Sequence, residues 1–146
     1  MKTNNLDNPF FIVMLCIFSI IINTLSSIHF FPILFLGVLF MAFFTCLKKR
    51  YHYSLMLVII TLTLIELNNG FKIFSLSLLS AFIYIFITPY IKRILTFSSL
   101  NSYIYMAVFY LGVYIMWSFN NEVNFQLNYT LIINLLIDFV IFGVFI

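Results

Sequence analysis

Charge is scarce in this sequence. Of 146 residues, seven are Lys or Arg and four are Asp or Glu, so 8% are charged, against about 25% in a typical soluble domain. A chain this short needs polar groups over most of its surface to stay in water, which excludes a soluble globule. Disorder is excluded by the opposite excess: disordered chains have low hydropathy, and this one is 64% apolar with a mean hydropathy of +1.17. Cysteine is nearly absent. Cys16 and Cys46 stand inside apolar runs at no metal-like spacing, which argues against a disulfide framework and a zinc site. His29 and His52 have no ligand-spaced partner. There is no HExxH, P-loop, serine elbow, DxD or catalytic carboxylate pair. No enzyme activity, cofactor or metal is therefore expected. A basic stripe is missing too: the cations cluster only as Lys48-Lys49-Arg50 and Lys92-Arg93, so nucleic acid is not an expected partner.

What the sequence has is continuous apolar runs. Transmembrane barrels alternate apolar and polar residues, so the expected class is all-α: a polytopic membrane protein embedded in a lipid bilayer. A helix needs about 20 residues to cross a hydrocarbon core of roughly 30 Å. Six spans fill the chain as one transmembrane domain, 1–146, with no room for a soluble one. They are expected at about 10–28, 32–47, 52–67, 72–91, 102–119 and 129–146. His29-Phe30-Phe31-Pro32 turns the chain, and Pro32 suits the first turn of the second span. Asn68-Asn69-Gly70 is a turn signal, because Gly takes positive φ freely. Thr88-Pro89 kinks or ends the fourth span, with the Thr88 hydroxyl able to occupy a freed carbonyl. The N-terminus lacks the basic start and cleavage site of a signal peptide, so the first run is expected to stay as a span. No internal repeat is evident.

The cations set the orientation. With the N-terminus inside, Lys2, Lys48, Lys49, Arg50, Lys92 and Arg93 fall on the cytoplasmic side and only Lys72 falls outside. Both termini are then cytoplasmic. Tyr51, Tyr53 and Tyr90 sit beside the basic clusters, and Trp117 lies near the outer end of the fifth span, as interfacial anchors do.

Polar residues within the spans are the candidate functional positions. Asp138 lies in the middle of the sixth span. A carboxylate there costs about 2.5–3.5 kcal/mol on insertion scales, and its apolar neighbours, at about 0.3–0.6 kcal/mol each, outweigh it. Thr130, Asn134 and Asp138 recur every four residues, forming a stripe that should face protein or water. The stripe reads as a proton or ion site, as a partner contact, or as a protonated Asp hydrogen-bonded to neighbouring helices. Glu66 ends the third span beside Asn68 and Asn69. It reads as a polar lip on the outer face or as a solvated helix end paired with Lys72. Cys16, Ser19, Asn23 and Ser26 share one face of the first span, and Ser77, Ser80, Ala81, Tyr84 and Thr88 one side of the fourth. Such small and hydroxyl residues let helices approach closely. Tyr103, Tyr110, Tyr114 and Trp117 form a stripe of large amphipathic rings, a partner-binding face or an interior one.

Residues 60–93, ITLTLIELNNGFKIFSLSLLSAFIYIFITPYIKR, resemble the central signature of the bacterial rod shape-determining protein MreD family. That signature has an acidic residue at a span's end, a short turn, then a helix closing on basic residues. Glu66 takes the acidic position, Asn68-Asn69-Gly70 the turn and Lys92-Arg93 the closing pair. The proline-started second span ending at Lys48-Lys49-Arg50, and Asn134 in the last span, also fit. The chain departs from the pattern in carrying Glu rather than Asp at 66, Ile33 after the proline, and Asp138. The resemblance implies a six-helix bundle similar to the substrate-binding subunits of ECF-type vitamin transporters. It also implies a non-catalytic scaffold of cell-shape determination and peptidoglycan elongation in the bacterial inner membrane. The implied partners are an MreC-like single-span protein and other wall-elongation proteins.

Two functions are open at this point. In the first, the chain is that scaffold, docking a partner's single span through Glu66, Asn68, Asn69, Tyr103, Tyr110, Tyr114 and Trp117 and the outer loops 67–72 and 120–128; a second copy of the chain is a further candidate partner. In the second, it is a small-molecule or ion transporter subunit, in which Asp138, Asn134, Glu66 and Asn23 converge on a polar cavity.

Overall fold

The computed structural model describes residues 5–28, 33–94, 98–120 and 125–145, with the backbone alone for 98–100, 120, 125–127 and 145. Lys2, the 29–32 turn with His29 and Pro32, and residues 121–124 of the expected outer loop lie outside the described residues. The described chain is all-helical. A 3-10 turn at Asn5–Asp7 leads into α1 (Pro9–Ile28), α2 (Leu36–Lys49), α3 (His52–Asn69), α4 (Ser75–Ile94), α5 (Ser98–Asn120) and α6 (Phe125–Phe145). Pro9–Ile28, Ser75–Ile94 and Asn101–Phe119 are long and apolar enough to cross a membrane, and Asn128–Val144 is a shorter apolar helix.

Local chemistry sets most helix ends. Asn8 caps α1, its Oδ1 accepting the Phe10 N–H at 3.0 Å, with Pro9 in the first turn, where its missing N–H costs nothing. Gly70 ends α3 at φ 74°, and the Phe71 N–H reaches the Glu66 carbonyl at 3.0 Å, so the Asn-Asn-Gly turn forms as expected. Within α4, residues Ile83–Ile87 widen into a π turn. Pro89 has no N–H to give the preceding turn; the Thr88 hydroxyl donates at 3.1 Å to the Ile83 carbonyl, which also accepts the Thr88 N–H and so is not the carbonyl that the proline frees.

The second span departs from expectation. It begins at Leu36 rather than Pro32, and residues 33–35 are not helical. With 14 residues, α2 is about 21 Å long at 1.5 Å per residue, short of a full crossing. It is also the core of the molecule. Every residue from Leu36 to Cys46 is buried, as expected of a helix that is apolar all round. The other five helices pack on it, and α1, α3, α4, α5 and α6 follow one another around it. Phe40 stacks on Phe109 of α5, with centroids 4.6 Å apart and planes 8° apart.

The arc is open between α1 and α6. An apolar groove of about 430 Å³ runs there, floored by Phe35 and Val38 and walled by Phe11, Phe18, Ser19 and Ile141. The N-terminal turn and the α2–α3 turn meet at one end of the bundle: Lys49 Nζ lies 2.6 Å from Asp7 Oδ1, and the Tyr51 hydroxyl donates to the Asp7 carbonyl at 3.1 Å.

Candidate functional site

A helix begins with unpaired N–H groups, and inside a bundle each must find an acceptor. The start of α2 has none of its own, because Phe35 stands at its N-cap, in the left-handed region at φ 49°, with no side chain to offer. The acceptors come from α6. Asp138 Oδ2 accepts the Gly37 N–H at 2.6 Å, and Asn134 Oδ1 accepts the Leu34 N–H at 2.8 Å. The Tyr110 hydroxyl of α5 donates to the same Asp138 oxygen at 2.5 Å. Asp138 Oδ1 has no hydrogen-bond partner among the described residues. A negative group at a helix N-terminus also meets the positive end of the helix dipole.

The segment before α2 is held from the other side by α1. The Asn23 side-chain amide donates to the Ile33 carbonyl at 3.1 Å, and Ser26 Oγ accepts the Ile33 N–H at 3.0 Å. Asn23 Oδ1 in turn accepts from Asn68 at 3.2 Å and from Asn69 at 3.4 Å. Irregular backbone between packed helices is tolerated where protein satisfies it, and here α1 and α6 do so, with α3 holding Asn23. Gly37 makes the approach possible. A Cβ on it would lie 2.9 Å from Asp138 Oδ2 and 3.1 Å from the Tyr110 ring.

The start of α4 repeats the device. Phe74 precedes it at φ 64° without a side-chain cap. Glu66, at the end of α3, accepts the Phe74 N–H on Oε2 at 2.7 Å and the Leu76 N–H on Oε1 at 2.5 Å, with Ser75 Oγ at 3.3 Å. Glu66 and Asp138 are both fully buried. Each carboxylate thus belongs to a helix start, and they do not form an acid–base pair. Among the described residues no cluster of His, Cys, Asp or Glu could hold a metal ion.

These contacts change several expectations. Glu66 is neither a solvated helix end nor an outer lip, and Lys72 is not its partner: the returning start of α4 closes over it. Asn23, Asn134 and Asp138 do converge, together with Asn68 and Asn69, but on the backbone of residues 33–37 rather than on a cavity. Glu66 stands apart from them at the end of α3, engaged with the start of α4. The Thr130, Asn134 and Asp138 stripe faces protein, with the Asn134 amide donating to the Thr130 carbonyl at 2.9 Å.

The ring stripe does not form one outward face. Tyr110 is buried and committed to Asp138. Tyr103 packs edge-on against Phe139 and Phe142, with centroids 5.4 and 5.5 Å away. Trp117 packs edge-on against Phe71 at 4.7 Å. Tyr114 alone of the four is exposed. The expected outer loop 120–128 is also shorter, because α6 already starts at Phe125. The small-residue faces do pack inward: Cys16, Ser19, Asn23 and Ser26 are all buried, as are Ser80 and Thr88, while Ser77, Ala81 and Tyr84 are half-buried. Both cysteines are free thiols.

Sequence reading missed Gly37, Leu34 and the two left-handed phenylalanines. The glycine was the available signal, since a lone Gly in a helix often marks a close approach. A second apolar groove, of about 460 Å³, lies between α5 and α6 beside Tyr114 and Asn128. The sequence matches no protein-family model, no curated protein and no solved structure.

Proposed function

We propose that the chain is a six-span protein of the bacterial inner membrane with both termini in the cytoplasm. It acts as an MreD-like scaffold of cell-shape determination and peptidoglycan elongation, docking the single span of an MreC-like partner. One observation carries this reading. The residues on which the family resemblance rests delimit one helix: Glu66 caps the start of α4, Gly70 turns the chain into it at φ 74°, and Lys92-Arg93 close it at its far end. The α1–α6 groove, where the arc of helices is open, can receive side chains from one face of a partner's span, and Tyr114 remains available on α5. Helix association within a bilayer rests on packing and a few interhelical hydrogen bonds of about 0.6–2 kcal/mol each. The transporter reading is less favoured, because Asn23, Asn134 and Glu66 are engaged by the chain's own backbone, as is one oxygen of Asp138.

The test is depletion in a rod-shaped host together with affinity purification of the full chain. The expected result is rounded cells and a co-purifying single-span protein. Rods that keep their shape, with no such partner recovered, would overturn the reading.

A further inference from the structure

The end of the bundle where α2 and α4 finish gathers cations with little to balance them. Lys48, Lys49 and Arg50 close α2, Lys92 and Arg93 close α4, and all five are exposed. Of the chain's acids, Glu66 and Asp138 are buried in the two caps, Asp7 is paired with Lys49, and Glu122 lies outside the described residues. Lys48, Arg50, Lys92 and Arg93 therefore have no carboxylate at ion-pair distance among the described residues.

One ring joins the two clusters. Lys92 Nζ lies over the Phe44 ring, 5.5 Å from its centroid. Phe44 precedes Lys48 by one turn on the same face of α2. Tyr84 of α4 and Tyr105 of α5 pack on that same ring, with centroids 5.2 and 5.5 Å away. Tyr105 is 3% exposed, and its hydroxyl has no hydrogen-bond partner among the described residues. A buried hydroxyl without a partner is uncommon and points to a missing group. Below the cations, α4 presents an exposed apolar flank of Phe86, Tyr90 and Ile94.

We propose that this end of the bundle binds the phosphate headgroup of an anionic phospholipid between the last turns of α2 and α4. Lys48, Lys92 and Arg93 neutralise the phosphodiester, the Tyr105 hydroxyl supplies a neutral donor, and the acyl chains lie along the α4 flank. Basic pockets between spans on the cytoplasmic side suit such headgroups. Free phosphate matches the cations but has no use for the apolar flank. The proposal rests on the bundle lying in a bilayer and not on the scaffold reading.

Native mass spectrometry of the full chain in detergent, with equimolar phosphatidylglycerol and phosphatidylcholine, tests it. The expected result is retention of phosphatidylglycerol over phosphatidylcholine by about fivefold or more. The Lys48→Gln/Arg93→Gln variant should bring the ratio to parity, while Lys72→Gln, at the other end, leaves it unchanged. Tyr105→Phe should lower it about two- to threefold without lowering the melting temperature, because no protein hydrogen bond is lost. If the double variant does not fold, Arg93→Gln alone and Tyr105→Phe read the same ratio. Equal retention of the two lipids, an unchanged ratio in the cation variants, or displacement of the lipid by millimolar inorganic phosphate would overturn the proposal.

Discussion

Tyr110 and Gly37 meet at a single oxygen of Asp138, the tyrosine hydroxyl at 2.5 Å and the glycine N–H at 2.6 Å. Helices α2, α5 and α6 are thereby joined at the point where α2 begins, 101 residues in sequence from the acid that caps it. The polar groups most suggestive of a transport site are thus the ones that let a short central helix start inside the bundle.

The Gly37 and Tyr110 bonds of Asp138 fall on the same oxygen, so an amide oxygen can take both. Asp138→Asn keeps an acceptor for the Gly37 N–H and is expected to fold with a modest loss of stability. Asp138→Ala leaves a buried N–H and a buried hydroxyl without an acceptor, at about 1–3 kcal/mol for each such group. Thermal unfolding in detergent, followed by circular dichroism, should rank the two in that order. Equal stability of Asp138→Ala and the parent chain would show that the cap contributes nothing.

Glu66 should behave differently because both of its oxygens accept backbone N–H groups, at 2.7 and 2.5 Å. In Glu66→Gln one of the two sites becomes an NH2 group facing an N–H donor. The amide is therefore expected to cost more at 66 than at 138, by about 1–2 kcal/mol. Comparing the two amide variants under the same unfolding conditions measures the difference. An identical loss at both positions would contradict the two-oxygen geometry.

Gly37→Ala places a methyl 2.9 Å from Asp138 Oδ2. Overpacking of this kind costs about 1–3 kcal/mol. The two residues are in contact, so their effects should not add. Gly37→Ala combined with Asp138→Ala is expected to lose less than the sum of the single losses, since the shorter side chain clears the space. Strict additivity in the double-mutant cycle would place the strain elsewhere.

The sequence exposed those features that depend on neighbours close along the chain. The buried face of α1, the Asn69-Gly70 turn, the Thr88 bond beside Pro89 and the inward stripe of α6 all follow from spacings of a few residues. The start of α2 does not, because its hydrogen-bond partners arrive from Asn23, Asn134 and Asp138, and only the folded bundle brings these together. Glu66 was misread for the same reason: a carboxylate next to Asn and Gly looks solvated until the following helix turns back onto it. The aromatic stripe of α5 was periodic enough to show one face, and that face proved to be mostly an inner one, filled by α6 and by Phe71.

Thr88 and Pro89 make a separate case within α4. The Thr88 hydroxyl is the side-chain partner of the Ile83 carbonyl, and Thr88→Val removes it while keeping the shape. The expected loss is about 0.5–1.5 kcal/mol, the net worth of one hydrogen bond. Pro89→Ala restores an N–H to the helix and should let the π turn relax to ordinary α-helical bonding. Amide hydrogen exchange over residues 83–88 checks this, with slower exchange expected in Pro89→Ala and faster exchange in Thr88→Val.

The proposed orientation can be read directly by cysteine labelling, because the parent chain offers almost no background. Cys16 and Cys46 are fully buried, so a membrane-impermeant maleimide should leave the intact protein unmodified. Lys72 and Arg50 are exposed at the two opposite ends of α3. Lys72→Cys is expected to react in intact spheroplasts, and Arg50→Cys only after the membrane is permeabilised, as the distribution of positive charge requires. Labelling of Arg50→Cys in intact spheroplasts would invert the bundle. Labelling of both positions before permeabilisation would mean that α3, flanked by these two residues, does not cross the bilayer, and the six-span arrangement would fall with it.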